Sequence, residues 1–139
     1  MTLKLKSKGI NKIKPLKRED TQIYNGVYLI TNKVNNKTYV GSSKDINRRI
    51  KTHKRELAEG SHNNRKLQKD YDKYGDENFE YTILEKDVEH ELLTAYEKYW
   101  MYKYNSIVMY KGYNLIFSEC THSQLKYVYN LKEGDKNAR

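Results

Sequence analysis

The stretch that decides the fold runs from Gly26 to Gly41 and reads GVYLITNKVNNKTYVG. Its two ends, GVY and YVG, are near mirror images, and they flank an asparagine-rich break at residues 34–37. Asparagine tolerates positive φ angles and forms turns with its own side chain. The stretch therefore predicts two short β-strands that are joined by a tight turn.

The parity of this hairpin places two phenols on one face of the sheet. If residues 33–36 form the turn and the strands pair antiparallel, Tyr28 and Tyr39 point to the same side. They then lie diagonally across the ladder, with roughly 7–8 Å between their Cα atoms. Gly26 and Gly41 share this patch. Since the chain contains 14 tyrosines, the hairpin alone leaves two interpretations open, a pair of packing tyrosines or a functional site.

The net charge of +9 is unevenly distributed along the 139 residues, a length that suits one domain. Residues 1–20 carry seven lysines and arginines against two acids, and residues 44–69 carry nine against three. Residues 76–98 reverse the balance, with eight acids against two lysines. A basic face beside an acidic segment indicates a polyanionic partner and a local carboxylate site. A merely soluble basic protein is the alternative.

Cysteine content and hydropathy exclude several classes of protein. The single cysteine, Cys120, rules out a disulfide or a cysteine-based zinc site within one chain. No apolar run approaches the length of a membrane span, and residues 1–20 lack the apolar region and cleavage site of a signal peptide. The sequence therefore predicts a cytoplasmic protein without membrane association.

Beyond the hairpin, apolar periodicity and capping residues predict a small α+β fold, an antiparallel sheet of about three strands flanked by helices. The first predicted helix follows N-cap candidates at residues 42–45 and ends at Gly60, and a second helix is predicted at Asn64–Tyr74. A strand is predicted at residues 79–84. The longest predicted helix runs from Asp87 to about Lys103, and a short strand or packed loop follows at residues 111–117.

The chain divides into three predicted parts. Residues 1–24 form a basic N-terminal arm, and residues 25–117 form the folded domain. Residues 118–139 form a polar C-terminal tail or the start of a linker, with a helix around residues 124–131 as one option and a disordered end.

The ordered motifs resemble those of the GIY-YIG nuclease family. The resemblance covers roughly residues 25–117 and rests on GVY, YVG, Arg49, His53, Glu97 and Asn114 in register. The segment from Tyr39 to Arg49 is similar to that of phage intron-encoded homing endonucleases, as are His62 and the residues 112–114. The resemblance implies the GIY-YIG fold and hydrolysis of DNA phosphodiesters, which leaves a 3′-hydroxyl and a 5′-phosphate.

Glu97 is the carboxylate that this resemblance assigns to a metal ion. It projects from or beside the apolar stripe of its predicted helix, where an unpaired charge is costly. The resemblance implies that it holds Mg²⁺ or Mn²⁺, which one carboxylate binds together with waters and substrate oxygens. The alternative is a salt bridge to a nearby lysine.

The other predicted catalytic residues serve the phosphate and the attacking water. Arg49 is predicted to clamp the scissile phosphate, because its planar guanidinium matches phosphate oxygens. Tyr28 is the predicted general base, with Tyr39 hydrogen-bonding nearby, although only about one phenol in a thousand is ionised at pH 7. His53 is predicted as a proton relay or phosphate partner. Asn114 is predicted to orient Glu97 or Tyr28.

Nucleic-acid contacts are expected around the first two helices. Basic side chains there suit contacts with the DNA backbone, which hold DNA without specifying sequence. His62 is predicted as a surface or DNA-contacting residue rather than a metal ligand. The predicted contacts are Gly41, Ser42, Lys44, Arg48, Lys51, His62, Arg65 and Lys66.

The chain departs from the pattern of the homing enzymes at both ends. Those enzymes begin close to the first motif and continue into a linker and a recognition domain, whereas a basic arm precedes the motif here and only about twenty residues follow it. A homing or mobile-element nuclease is the leading prediction. The alternatives are a small restriction endonuclease, a non-catalytic nucleic-acid-binding module, and an enzyme that cleaves RNA. DNA is the predicted partner, and a homodimer on DNA is one predicted arrangement.

Overall fold

A computed structural model of the protein describes residues 22–137, so nearly all of the predicted arm lies outside the described residues, as do residues 138–139. The predicted α+β class is confirmed. The elements are β1 (Gly26–Asn32), β2 (Thr38–Ser43), α1 (Ile46–Glu59), α2 (Arg65–Tyr74), β3 (Phe79–Lys86), α3 (Leu93–Tyr104) and α4 (His122–Asn137), with single 3₁₀ turns at Asp76–Asn78, His90–Leu92 and Val108–Tyr110. None of the described helices has the length and apolar character needed to cross a membrane.

The three strands form one antiparallel sheet in the order β2-β1-β3. Tyr28 pairs with Gly41 and Ile30 pairs with Tyr39, so the two phenols lie diagonally across the ladder as predicted. The turn is also the predicted one, because the Asn36 N–H donates to the carbonyl of Asn32 at 2.7 Å. Asn36 has a φ of 62°, the left-handed conformation that asparagine tolerates. The hairpin was therefore predictable from local chemistry alone.

The central strand β1 is buried on both faces of the sheet. Tyr28 and Ile30 belong to one apolar cluster, together with residues of α1 and α2. Val27 and Leu29 belong to a second cluster that includes Leu93 of α3. The sheet is thus the middle layer between α1 and α2 on one side and α3 on the other.

Gly26 allows the close approach of a neighbouring strand. A Cβ atom at this position would overlap the backbone carbonyl of Glu85 in β3. The absence of a side chain at Gly26 therefore leaves space for the backbone of β3.

The first two helices begin and end at the residues that the sequence predicts. The carboxylate of Asp45 accepts a hydrogen bond from the backbone N–H of Arg48, and Gly60 ends α1 in the left-handed conformation with a φ of 78°. Asn64 caps α2 through the N–H of Leu67. These short-range signals position α1, which carries much of the candidate site.

The predicted start and length of the third helix are wrong. Asp87 has a φ of 53° and bonds through its N–H to the carbonyl of Asn25, so it belongs to a turn rather than to a helix. The α-helix begins only at Leu93, after a single 3₁₀ turn, and its 12 residues make it shorter than α1 and α4. The side chain of Asn25 bonds to both backbone groups of Val88 and holds this turn against the sheet.

The C-terminal helix is longer than the predicted segment and packs on the body of the protein. Its Val128 is fully buried and forms a cluster with Ala95 and Tyr99 of α3. The predicted polar tail is therefore a packed helix over residues 122–137, because a few apolar side chains on one face suffice to dock an otherwise polar helix. The division of the chain at residues 25 and 117 stays a prediction.

Candidate active site

A cavity of about 500 Å³ lies along the outer edge of β2. Because β2 is an edge strand, side chains from both faces of the sheet reach this cavity around it. Four of the six predicted catalytic residues line it, and Tyr28 and His53 lie buried behind them. The lining includes Tyr39, Arg49, Glu97 and Asn114, together with His62 and Ser118.

The two phenols sit together on the α1 side of the sheet. The ring centroids of Tyr28 and Tyr39 are 6.5 Å apart, and the Tyr28 ring is buried. A Cβ atom at Gly41 would overlap the Tyr28 hydroxyl. The prediction that Gly41 contacts DNA is therefore wrong, since this buried glycine leaves room for the Tyr28 ring.

Arg49 of α1 joins the two phenols. Its half-buried guanidinium lies beside the hydroxyls of both Tyr28 and Tyr39, where it acts to lower the pKa of each phenol. Burial raises the pKa of Tyr28 well above its usual value, and Tyr39 adds to this effect, while Arg49 acts in the opposite direction. Tyr28 thus keeps its proton in the free protein, and a cation beside it favours the loss of that proton.

His53 and His62 form a buried pair behind the phenols. Nε2 of His53 lies 2.5 Å from the Tyr28 oxygen, and its Nδ1 lies 2.7 Å from Nε2 of His62. His62 is buried, so its predicted place on the surface is wrong. The turn between α1 and α2 folds inward because the His62 N–H donates to the side chain of Gln68, which itself donates to the carbonyl of Leu57.

The burial of His53 has a consequence for stability. Burial, Arg49 and His62 together lower its pKa to about 3. The folded state therefore keeps the ring neutral, while the unfolded chain binds a proton below about pH 6.5. This contribution to stability is complete above the unfolded pKa and is lost as the pH falls toward about 3.

We expect the acid sensitivity of the fold to depend on His53. Between about pH 7.5 and about pH 5, the wild type should lose about 2 kcal/mol more unfolding free energy than His53→Gln, because glutamine does not titrate. Urea denaturation of both proteins at the two pH values measures this difference. Equal losses in the two proteins would show that His53 does not stay neutral in the fold.

Glu97 reaches the edge of β2 from the opposite face of the sheet. Its carboxylate accepts a hydrogen bond from the Ser118 hydroxyl, and the hydroxyl and the N–H of Ser42 lie near enough to lower its pKa. Burial raises the pKa of Glu97, and the serine donors partly offset this effect. Among residues 22–134 no cationic side chain lies within ion-pair distance of Glu97, so the alternative of a salt bridge to lysine is not what the structure has. Ser42, predicted as a DNA contact, is a partner of this carboxylate.

The surroundings of Glu97 fit a divalent ion that is completed by substrate. Within the described part of the chain, no three histidine, cysteine, aspartate or glutamate side chains are grouped as a self-sufficient metal site. Mg²⁺ is commonly held by one or two carboxylates, waters and substrate phosphates. A single cavity-facing carboxylate that accepts only serine and amide donors meets this requirement.

Asn114 has a different role from the predicted one. Its Oδ1 accepts from the Val40 N–H at 2.8 Å, and its Nδ2 donates to the Val40 carbonyl at 2.9 Å. Both of these hydrogen bonds join the amide to β2 and not to Glu97 or Tyr28, so the prediction that it orients one of those side chains is wrong. The Asn114 side chain thus supplies hydrogen-bond partners for backbone groups of β2, which an edge strand otherwise leaves unpaired.

The open edge of β2 explains why these distant residues converge. In this register the backbone groups of Thr38, Val40 and Ser42 point away from β1. The Thr38 carbonyl accepts from the Tyr113 N–H at 2.9 Å, Val40 is held by Asn114, and the Ser42 N–H lies beside the Glu97 carboxylate. Glu97 thus lies beside Ser42, the last of these three alternate residues along the open edge of β2.

The predicted basic contacts remain on the surface. The side chains of Lys44, Arg48, Lys51 and Lys66 are exposed, as backbone contacts with DNA require. Arg65 is also exposed, but its guanidinium donates to the carbonyls of Gly60 and His62 at 3.3 and 3.1 Å. It therefore stabilises the turn between α1 and α2, and contact of these side chains with DNA stays a prediction.

Two residues of the site were missed by the sequence analysis. Ser118 lies in a segment without a motif, so no signal pointed to its bond with Glu97. Asn64 was predicted only as a helix start, yet its side chain also donates to the Tyr113 carbonyl at 2.6 Å and its N–H donates to His62.

Residues 24–114, well over half of the chain, match the family model of the GIY-YIG catalytic domain. The chain therefore belongs to the GIY-YIG family, as its motifs and its site geometry indicate.

Two curated relatives carry names of intron endonucleases. The chain is 38% identical over 109 residues to "Intron-associated endonuclease 1" of Enterobacteria phage T4, and 35% identical over 86 residues to "Probable intron-encoded endonuclease 1" of Neurospora crassa. The alignments cover 78% and 58% of this chain, but 42% and 27% of the relatives. The chain thus spans less than half the length of either relative.

The fold is similar to two solved structures of the catalytic domain of the homing endonuclease I-TevI, one of them a mutant. The TM-scores are 0.62 and 0.60, at 37% and 40% sequence identity. The matches cover 71% and 66% of this chain, and 100% and 98% of those domains. The predicted fold and family are confirmed by this agreement.

Proposed function

We propose that the protein is a metal-dependent endonuclease of the homing or mobile-element type, which hydrolyses phosphodiester bonds in DNA. The observation that carries this proposal is the convergence of three chemical groups on one cavity. Arg49 provides a cation that matches a phosphate, and Tyr28 and Tyr39 provide phenols. Glu97 provides a carboxylate that has no cationic partner among the described residues. The names of the two curated relatives support the same activity.

Arg49 is the group that holds the scissile phosphate. Its planar guanidinium forms paired hydrogen bonds with phosphate oxygens and stays charged at every working pH. It already lies at the mouth of the cavity between the phenols, so a phosphate bound there comes next to Tyr28 and Tyr39. Negative charge that develops on the phosphate is then stabilised by a cation that needs no reorganisation.

Tyr28 is the group that accepts the proton of the attacking water. The phenol is protonated in the free protein because of its burial, so it first releases its own proton to solvent and then accepts the proton of the water as the phenolate. Arg49 favours this ionised form. Tyr39 lies nearer to the cavity and positions the water by a hydrogen bond. Glu97, on the other side of the β2 edge, would hold Mg²⁺ or Mn²⁺, which when bound polarises the phosphate and stabilises the leaving 3′ oxygen.

One such site cuts one DNA strand at a time. Cleavage of both strands therefore requires reorientation on the DNA or a second copy of the chain. The exposed basic side chains on and near α1 and α2 supply attraction to the DNA backbone, and with it a strong dependence on salt.

The proposed activity is tested with supercoiled plasmid DNA. Incubation with Mg²⁺ should nick the plasmid, and removal of the ion with EDTA should stop nicking while the protein still shifts the mobility of the DNA. A matched RNA duplex serves as the substrate control and should stay intact. Binding without nicking in either Mg²⁺ or Mn²⁺ would instead identify a non-catalytic nucleic-acid-binding module.

Cleavage-site mapping on a phage genome separates the two kinds of endonuclease. A homing enzyme should produce few cuts at long sites, and a restriction enzyme would produce many cuts at one short recurring site.

A further inference from the structure

A row of three hydrogen bonds leads from a backbone amide to the oxygen of Tyr28. The N–H of Asn64 donates to Nδ1 of His62 at 3.0 Å. Nε2 of His62 lies 2.7 Å from Nδ1 of His53, and Nε2 of His53 lies 2.5 Å from the Tyr28 oxygen. The ring centroids of the two imidazoles are 4.9 Å apart, and their planes differ by 19°.

At the Asn64 end of this row, the position of the proton is fixed because it belongs to a backbone amide. A backbone N–H donates and does not accept, so Nδ1 of His62 is the unprotonated nitrogen of its ring. A neutral imidazole carries one proton, which therefore lies on Nε2 of His62 and points toward His53. The same rule leaves Nδ1 of His53 as the acceptor and places its proton on Nε2, facing Tyr28.

Both rings are neutral in this environment. Burial lowers the pKa of each imidazole, and Arg49 lowers both further, whereas Glu56 opposes the shift at His62. A second proton on His53 would also place two N–H groups face to face at the bond with His62. The ionisable groups that face the row from the surrounding elements are Tyr39, Arg49, Glu56, Arg65 and Glu97.

We propose that the Asn64 amide fixes the direction of donation along the row, so that Asn64 donates to His62, His62 to His53, and His53 to Tyr28. His62 and His53 are then positioning residues, which keep the Tyr28 oxygen in the role of hydrogen-bond acceptor. The inference rests on the proposed function, in which Tyr28 accepts the proton of water. Because the Nε2–H of His53 points at the Tyr28 oxygen across 2.5 Å, the phenol proton turns away from His53. His53 cannot receive that proton, because the nitrogen that faces Tyr28 already carries one. A donor role therefore replaces the proton relay predicted from the sequence.

The proton positions are tested by long-range ¹H–¹⁵N NMR of the full chain at neutral pH. The histidine rings are assigned with His53→Gln and His62→Gln, and the exposed His90 and His122 serve as references for rings that exchange between tautomers. We expect both buried rings to be protonated on Nε2 alone. Protonation of His53 on Nδ1, or exchange between its two tautomers, would overturn the proposal. This measurement does not depend on nuclease activity, so it separates failure of the inference from failure of the proposed function.

The effect of His53 on catalysis is tested with a variant that keeps a hydrogen-bond donor at this position but lacks the imidazole ring. Glutamine places an N–H donor near the position of Nε2, whereas methionine fills similar space without one. We expect His53→Met to lower the single-turnover rate of DNA cleavage by about 10²-fold, and His53→Gln to recover most of this loss. Both variants are compared at matched stability, which urea denaturation verifies. Equal losses in the two variants would show that His53 only fills space and would overturn its positioning role.

Discussion

Replacement of Glu97 by glutamine should lower the single-turnover rate of DNA cleavage by about 10³-fold or more. Glutamine keeps the shape of the side chain and an oxygen that accepts from Ser42 and Ser118, but it removes the negative charge that a divalent ion requires. The fold should survive, because neutralising a largely buried carboxylate without a cationic partner removes a desolvation cost. DNA binding, measured by mobility shift, should change little.

The matched control for this prediction is Glu56→Gln. Glu56 lines the same cavity and undergoes the same change of charge, so it reports how much a negative charge in the cavity matters in general. Its effect on the cleavage rate should be small beside that of Glu97→Gln. Near-normal cleavage by a folded Glu97→Gln variant would remove Glu97 from the mechanism.

Replacement of Arg49 by lysine should lower the rate by about 10²–10³-fold. Lysine keeps the positive charge, but its ammonium group does not form the paired, planar contacts that a guanidinium forms with phosphate oxygens. It also does not place a planar, forked cation beside the hydroxyls of both Tyr28 and Tyr39, as Arg49 does. The loss should therefore appear in the single-turnover rate at saturating protein concentration, because all of the DNA is then bound even if Arg49→Lys weakens DNA binding.

Arg55→Lys is the control on the same helix. Arg55 is exposed and pairs with Glu59 at 3.5 Å, a surface ion pair of little energetic value. This variant should cleave at nearly the wild-type rate. If Arg49→Lys also did so, Arg49 would be a general contact with DNA rather than a transition-state residue.

The parts of the structure that could be predicted from the sequence are set by short-range chemistry. The period of two in a strand and the turn at Asn36 fix the register that brings Tyr28 and Tyr39 together. Asp45 and Gly60 fix the ends of α1 in the same way. The resemblance to the GIY-YIG family predicts Arg49, Glu97 and the two phenols as site residues, and the structure places them at or behind one cavity.

The parts that could not be predicted depend on contacts between distant segments. Asn114 and Val40 are 74 positions apart, and nothing in either sequence neighbourhood shows that an edge strand needs an amide there. His62 looks like a polar loop residue, and only the packing of Gln68 and Asn64 around it turns it inward. Ser118 contacts Glu97 across 21 positions without any motif.

The error at Asp87 has a related cause. Its segment has the composition of a helix start, yet the side chain of Asn25 holds Val88 in a turn from 63 positions away. Long-range hydrogen bonds of this kind override local preference.

The proposed mechanism is tested most directly by determining which product carries the oxygen of the attacking water and which P–O bond is cleaved. A DNA duplex is cut by excess protein with Mg²⁺ in water enriched in oxygen-18, and the fragment ends are analysed by mass spectrometry. If Tyr28 activates a water that attacks phosphorus and the 3′ oxygen leaves, every new 5′-phosphate carries one atom of oxygen-18 and every upstream fragment ends in a 3′-hydroxyl. Fragments that end in a 3′-phosphate, or 5′-phosphates without the heavy isotope, would contradict it.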